Sequence, residues 1–386
     1  MNTRPRIRRG AIHARAVSRQ EAKGGVRGVA EKYRVAIIGC GARGAGRTGA
    51  ARAHEHWRAY AATGRCRLAA LADIRRENAE GFAAEHGDPA SPPAVYEDYA
   101  VMLREVRPDL VSVCTWPSLH APMVIAAAEA GARGIHCEKP LSTTWGEARR
   151  MVEAAQRART ALIFTHQRRF EPQFRAARRL LRAGAIGRLL RMEGTCANMF
   201  DWGTHWFDMF HFYNDEQPAR WVMAQIDTRE VRQVFGAPVE GQGLSLVHFA
   251  NDVQGLLITG EGRPFPEVNR LVGTRGVIEV QMPGEDDKWI PVRLRGAGDG
   301  DWRVPEIAAE DRSGPAGSVA AATEDLLGCL ERGGEPELSA ARALRATELI
   351  FATYESARRG GRIDLPLQAD DASLTAVVEA RGGAGA

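Results

Sequence analysis

Long apolar runs are missing from this 386-residue sequence: no uninterrupted stretch approaches the roughly 18 to 20 residues needed to span a bilayer, and no apolar block follows the basic N-terminus as in a secretory signal. A soluble, cytoplasmic protein without membrane partners is expected. The six cysteines (Cys40, Cys66, Cys114, Cys137, Cys196 and Cys329) form no CxxC pair and no regular ladder, which excludes a disulfide framework and a zinc-finger-type site. Internal repeats are absent as well. The net charge of +4 is lopsided, because Met1 to Arg34 carry ten basic residues against two acidic ones and leave the rest of the chain at −4. The basic arm has no aromatic residue before Tyr33 and holds Gly24, Gly25 and Gly28, so residues 1–32 read as a disordered leader and no nucleic-acid partner is expected.

What is present is an alternation of strand-like and helix-sized segments. Tyr33 to Ile38 is a run of β-formers entering Gly39-Cys40-Gly41-Ala42-Arg43-Gly44, and an Ala/Arg-rich helical stretch follows towards Tyr60. Arg67 to Ala72, Asp109 to Cys114 and Arg133 to Cys137 continue the series, each separated from the next by the length of a helix. Such alternation over 33–158 predicts an α/β fold with a parallel sheet covered on both faces. From residue 159 to 367 the pattern changes to runs such as Leu244–Phe249 and Gly255–Thr259 with turns between them, which predicts an α+β domain with a mostly antiparallel sheet. Ala343, Ala346, Ile350 and Tyr354 recur at helical spacing before Gly360-Gly361 and predict a C-terminal helix with a glycine stop; residues 368–386 read as a loose tail.

The glycines at GxGxxG spacing allow a tight turn and a close approach of backbone to a pyrophosphate, and the N-terminus of the next helix offers free N–H groups to it. The cofactor-binding set expected from this segment is Gly39, Gly41, Ala42, Arg43 and Gly44, with Asp73 at the end of the second strand accepting from ribose hydroxyls. The carboxylate favours NAD. Arg75 and Arg76 keep NADP open, since an arginine here can pair with a 2′-phosphate; their other reading is a solvated helix start.

Lys139 stands at the C-terminal end of a strand, the sheet edge where ligands bind in such folds, and its ammonium can steady an alkoxide as a proton leaves. Asp201, His205 and Asp208 occur at i, i+4 and i+7, which predicts one face of a helix, while Trp202, Trp206, Met209 and Tyr213 form a neighbouring apolar stripe. A histidine one turn from a carboxylate is a plausible general base. An N-capping Asp201 with His205 satisfied in the core is the structural alternative. No further His/Cys cluster in the sequence completes a metal set, so no metal is expected.

Several separated motifs together resemble the glucose-fructose oxidoreductase / inositol dehydrogenase / rhizopine catabolism (Gfo/Idh/MocA) family over about residues 33–367: Val35-Ala36-Ile37-Ile38-Gly39-Cys40-Gly41, Cys114-Thr115-Trp116-Pro117-Ser118-Leu119-His120, Glu138-Lys139-Pro140, Arg168-Arg169-Phe170-Glu171-Pro172, Asp201 to Asp208, Gly273-Thr274-Arg275-Gly276 and Tyr354-Glu355-Ser356-Ala357-Arg358. The resemblance implies a Rossmann domain followed by a domain with a large open sheet, the latter serving as the interface of a homodimer or homotetramer. It also implies NAD(P)-dependent oxidation of a sugar, inositol or polyol hydroxyl, or the reverse. Lys139, Asp201 and His205 would be catalytic, Lys139, Arg168, Asp201, His205 and Asp208 would meet substrate, and Thr115, Pro117, His120, Glu138 and Lys139 would line the cofactor. Trp116 interrupts the family's usual Thr-Pro pair, and Ser118 stands where asparagine is common. Two rival readings share the fold: a redox-neutral enzyme that oxidises its substrate transiently with a tightly held nicotinamide, and a non-catalytic dinucleotide sensor.

Overall fold

The computed structural model describes residues 32–41, 50–260, 268–282, 290–370, 372–373 and 375–376. Among the sequence expectations, the basic leader up to residue 31, Ala42, Arg43 and Gly44, and most of the tail lie outside the described residues.

The first sheet is built from β1 (Tyr33–Ile38), β2 (Cys66–Ala72), β3 (Ala94–Tyr96), β4 (Leu110–Val113), β5 (Gly134–Cys137) and β6 (Ala161–Phe164), interleaved with α1 (Ala50–Ala62), α2 (Arg76–His86), α3 (Tyr99–Val106), α4 (Pro117–Glu129) and α5 (Trp145–Ala158). Its order is β3-β2-β1-β4-β5-β6 and every pairing is parallel. That is the doubly wound arrangement in which the strand order reverses beside β1, and the crevice at that reversal is where ligands bind. The strands are apolar on both faces, as a doubly covered sheet requires: Val35, Ala36, Ile37, Ile38, Leu110, Val111 and Val113 are all buried. The boundary expected at residue 158 falls short, because β6 pairs in parallel with β5 and completes this sheet.

After α6 (Pro172–Arg182) the chain builds a second sheet of eight strands. Its members are β7 (Leu189–Cys196), β8 (Ala219–Asp227), β11 (Gln242–Phe249), β12 (Gln254–Gly260), β13 (Val268–Gly273), β14 (Gly276–Gln281), β15 (Val292–Gly296) and β16 (Ile363–Asp364). Their order is β15-β14-β13-β7-β12-β11-β8-β16. Only β12 and β7 pair in parallel, so the expectation of a mostly antiparallel sheet holds. Between β8 and β11 the chain makes a small hairpin of its own, β9 (Arg232–Val234) and β10 (Ala237–Val239), turning at Phe235-Gly236. One face of the large sheet is covered by α7 (Gly203–Tyr213), whose residues are buried throughout, and by α9 (Ala340–Arg359), which follows α8 (Gly317–Arg332).

Helix α9 shows why its end was predictable. Ala343, Ala346, Ile350 and Tyr354 are buried, and Gly360 takes the left-handed conformation (φ 68°) that closes the helix with an N–H bond to the Ser356 carbonyl. Five of the six cysteines are buried, and Cys329 is half-buried. No helix of the described residues is long and apolar enough to cross a membrane.

Candidate active site

The glycine turn leaves β1 with Gly39 at φ +86°, where a side chain would be strained. Space forbids one as well: a Cβ there would come within 2.8 Å of both the Cys114 carbonyl oxygen and Thr115 Cγ2. The turn is tied to the acid at the end of β2, because the Cys40 N–H donates to Asp73 Oδ2 at 2.8 Å, and Asp73 Oδ1 accepts from the Arg75 N–H and the Asn78 side chain, each at 3.0 Å. A carboxylate offers about four acceptor directions, so one remains for a ribose hydroxyl. Next to it Ile74 is 88% exposed, an apolar side chain standing beside the crevice that the sequence reading did not single out. Arg76 opens α2 and pairs with Glu80 at 2.8 Å, both side chains standing exposed. A cradle that only glycine fits, with a half-buried carboxylate beyond it, suits a dinucleotide whose adenosine carries a free 2′-hydroxyl.

Glu138 and Lys139 follow β5 directly. Lys139 Nζ donates to Asp201 Oδ1 at 2.5 Å and to the Asp201 carbonyl at 3.3 Å. Burial pushes the Lys139 ammonium below its ordinary value, and the attraction of Asp201 recovers only part of that. Glu138 is itself buried and accepts from His56 Nε2 at 3.0 Å, with the Arg52 guanidinium 3.9 Å away. Burial opposes its charge, but the His56 hydrogen bond and the nearby cations outweigh it and hold the carboxyl well below the usual range. His56 stacks on His136 with ring centroids 3.8 Å apart, and its other nitrogen meets Ser112 Oγ at 3.0 Å. Glu138 thus anchors a buried polar network under Lys139, a different role from the cofactor contact expected of it. Arg52 and His56, both on α1, have no signature in the sequence pattern.

The arrangement of Asp201, His205 and Asp208 needs correction in two respects. Asp201 lies before α7, in a turn held by Asn198, whose side-chain oxygen accepts the Asp201 N–H at 2.6 Å and whose carbonyl accepts the Gly203 N–H at 2.9 Å. The helix therefore starts two residues later than expected, Asp201 is not its cap, and its carboxylate turns to Lys139 rather than aligning His205. Asp208 is buried against Arg169, with Oδ1 2.8 Å from Nη2 and Oδ2 2.9 Å from Nε, so it is an internal counter-ion and not a substrate contact. Arg169 also reaches Glu216 at 2.6 Å and Glu337 at 3.1 Å.

His205 is buried one turn into α7, and its Nδ1 has no hydrogen-bond partner among the described residues. Burial holds the ring well below its ordinary value, and the positive charges of Arg168 and Lys139 add to the effect, so it is neutral at pH 7. His166, edge-on to it at 5.7 Å between centroids, is pushed down to about 4 by burial and meets Thr204 Oγ1 at 2.9 Å. Arg168 is buried with its guanidinium 5.1 Å over the Trp202 ring and 4.4 Å over that of Trp206. Trp206 is core: it is fully buried, and its indole N–H donates to the Thr195 carbonyl at 2.7 Å.

In the loop after β4, Thr115 and Pro117 stand at the same strand edge as Gly39, whereas His120 is fully buried with its ring nitrogens 3.1 and 3.0 Å from the Leu141 and Thr115 carbonyls. It shapes the loop from within and does not present its ring to a cofactor. Trp116 remains 47% exposed and lies under the β9–β10 turn: a Cβ on Gly236 would be 3.2 Å from its ring, and the Phe235 ring is centred 6.0 Å from Lys139 Nζ. The small hairpin thus turns the face of the Phe235 ring towards Lys139 Nζ.

Residues 33–166 match the family model described as an oxidoreductase family with an NAD-binding Rossmann fold. Over 374 residues the chain is 27% identical to a D-apiose dehydrogenase of Paraburkholderia graminis, covering 89% of this chain and 93% of that protein. It is 37% identical to an inositol 2-dehydrogenase of Paracoccus denitrificans over 114 residues, a match that takes in 29% of this chain and only 33% of the relative. A solved levoglucosan dehydrogenase, in complex with NADH and levoglucosan, superposes with a TM-score of 0.72 at 22% identity, over 87% of this chain and all of the other, a likeness of fold.

Proposed function

We propose that this chain is an NAD-dependent dehydrogenase of the Gfo/Idh/MocA type, whose family model residues 33–166 match, and that it oxidises a secondary hydroxyl of a sugar, inositol or related polyol, or reduces the matching ketone. The observation that carries the reading is the Lys139–Asp201 pair beside neutral His205, at the C-terminal edge of the parallel sheet that also presents the Gly39 cradle and Asp73. Gly39, Gly41, Asp73, Thr115 and Pro117 would hold the dinucleotide, together with Ala42, Arg43 and Gly44 of the glycine motif in the sequence. When bound, it supplies the hydride acceptor or donor at its nicotinamide ring.

The chain's own part is to bind, orient and move a proton. Lys139 donates to the substrate oxygen and stabilises the charge that develops there, since an ammonium in a water-poor site is worth more than in solution. Asp201 keeps Lys139 charged and aimed. His205 takes the proton at Nε2, the ring nitrogen that protein atoms do not enclose, and its neutrality at pH 7 leaves it ready to accept. Arg168, which lies over two tryptophan rings, would meet a substrate hydroxyl or carboxylate, and Trp116 and Phe235 would offer an aromatic wall to a sugar ring, a reading their proximity to Lys139 and the hairpin turn supports. The relatives' names, which are of dehydrogenases for inositol and apiose, support this substrate class. Self-association, as a homodimer or homotetramer, would use the open face of the large sheet, where Met223 and Leu244 are exposed on paired strands.

Titration of the purified protein with NADH and NADPH by fluorescence, followed by a panel of polyols and sugars scored as cofactor reduction, tests the reading. Tight binding of NADH with turnover of one panel member is the expected result. Binding without turnover moves the assignment to a redox-neutral enzyme or a sensor, and no binding overturns it.

A further inference from the structure

The helices α1 and α2 bring together three donor side chains that take no part in the proposed reaction. His54 of α1 points Nδ1 at Nε2 of His86, the last residue of α2, at 2.6 Å. Glu85 Oε1 stands 3.8 Å from the first nitrogen and 3.5 Å from the second. Phe82 packs on both imidazoles, with ring centroids at 4.7 and 4.6 Å, and so fixes their positions from the apolar side. Towards solvent the group opens at Glu85, whose side chain is 43% exposed.

We propose that His54, Glu85 and His86 form a binding site for a divalent transition-metal ion, zinc above all. The geometry is the first reason: the three ligand atoms form a triangle with sides of 2.6, 3.5 and 3.8 Å, and an ion about 0.7 Å out of its plane lies about 2.1 Å from all three, the bond length of zinc to imidazole nitrogen and carboxylate oxygen. The donor chemistry is the second. Two nitrogens and one carboxylate oxygen suit zinc and its neighbours and not calcium or magnesium, which take oxygen sets. Third, three protein ligands with an open side leave room for water to complete a tetrahedron. An ion here ties α1, which follows the glycine turn, to the end of α2. The residues are separated by 31 and 32 positions, so no short-range spacing announces them in the sequence.

The test is zinc chloride titrated into the full-length protein by calorimetry, with the thermal midpoint recorded at each ratio, and cobalt(II) absorption as a spectroscopic readout of nitrogen/oxygen coordination. Wild type is expected to bind one zinc per chain and to melt higher when loaded, because an ion that binds only the folded state stabilises it. Glu85→Gln, at the open side, and His86→Gln are expected to weaken binding at least about tenfold and to lose the zinc-induced rise in melting, with Glu85→Gln keeping the metal-free midpoint. His54→Ala serves as a third variant. Absence of binding in the wild type, or affinity and stoichiometry unchanged in a folded His86→Gln/Glu85→Gln double variant, overturns the proposal.

Discussion

The Lys139 ammonium donates to Asp201 Oδ1 at 2.5 Å across the gap between the end of β5 and the turn that precedes α7. One strand end and one helix start, 62 positions apart in the chain, thus share a charge pair at the edge of the sheet. Asp201→Asn keeps the shape and removes the charge that holds Lys139 up. Its ammonium should then lose its proton at a lower pH than in the wild type, since burial and the Arg52 charge still disfavour it and only Glu138 remains to support it. The expected outcome is a fall in kcat of about 10²-fold or more, with the Lys139-dependent arm of the pH–rate profile displaced to lower pH. An unchanged profile would remove Asp201 from this role.

Asp208 predicts a stability effect instead of a substrate effect. Asp208→Ala removes one of the three carboxylates that face the fully buried Arg169, leaving Glu216 and Glu337, and should cost about 3 kcal/mol in a denaturant titration. The surviving folded enzyme should show an unchanged KM for substrate. A raised KM with unchanged stability would restore Asp208 as a substrate contact.

Gly39→Ala should weaken NADH binding by an order of magnitude or more. The left-handed backbone there costs an alanine about 1–2 kcal/mol, and the new methyl meets the Cys114 carbonyl and Thr115. Fluorescence titration of NADH against the variant checks this.

Stability should fall as pH drops from about 6.5 towards about 4. His120, His136, His166, His205 and His211 are held below their ordinary value by burial, His166 and His211 at about 4. The unfolded chain takes up protons that the native chain refuses, so stability is fully present above the unfolded value and is lost through this window. Glu171, Glu240 and Glu348, raised by burial, act in the opposite direction but are fewer. Thermal midpoints recorded across this range should decline with acid, and a midpoint that rises would contradict the burial of these rings.

Much of the fold was legible because its signals are local. The β-former run before Gly39, the carboxylate closing β2 and the glycine stop after α9 are each written in fewer than ten residues, and each stands where expected. The site was only half legible. Lys139, Asp201 and His205 do gather near one another, but helical spacing misread Asp201, because Asn198 holds it in a turn ahead of the helix. The same spacing misread Asp208, whose partner Arg169 comes from a different segment. Glu138 and His56 are 82 positions apart, and the β9–β10 hairpin reaches Trp116 from the far domain. Such meetings are made by tertiary packing, and no window of sequence contains both partners.

The central claim is that Lys139 and His205 carry the chemistry while other residues hold the cofactor. Single-turnover reduction of NAD, on the best substrate of the polyol and sugar panel, tests it most directly in Lys139→Ala and His205→Ala. A fall of about 10²-fold or more in the rate of each, with NADH affinity retained, is the result predicted. Undiminished turnover in both variants would contradict the account.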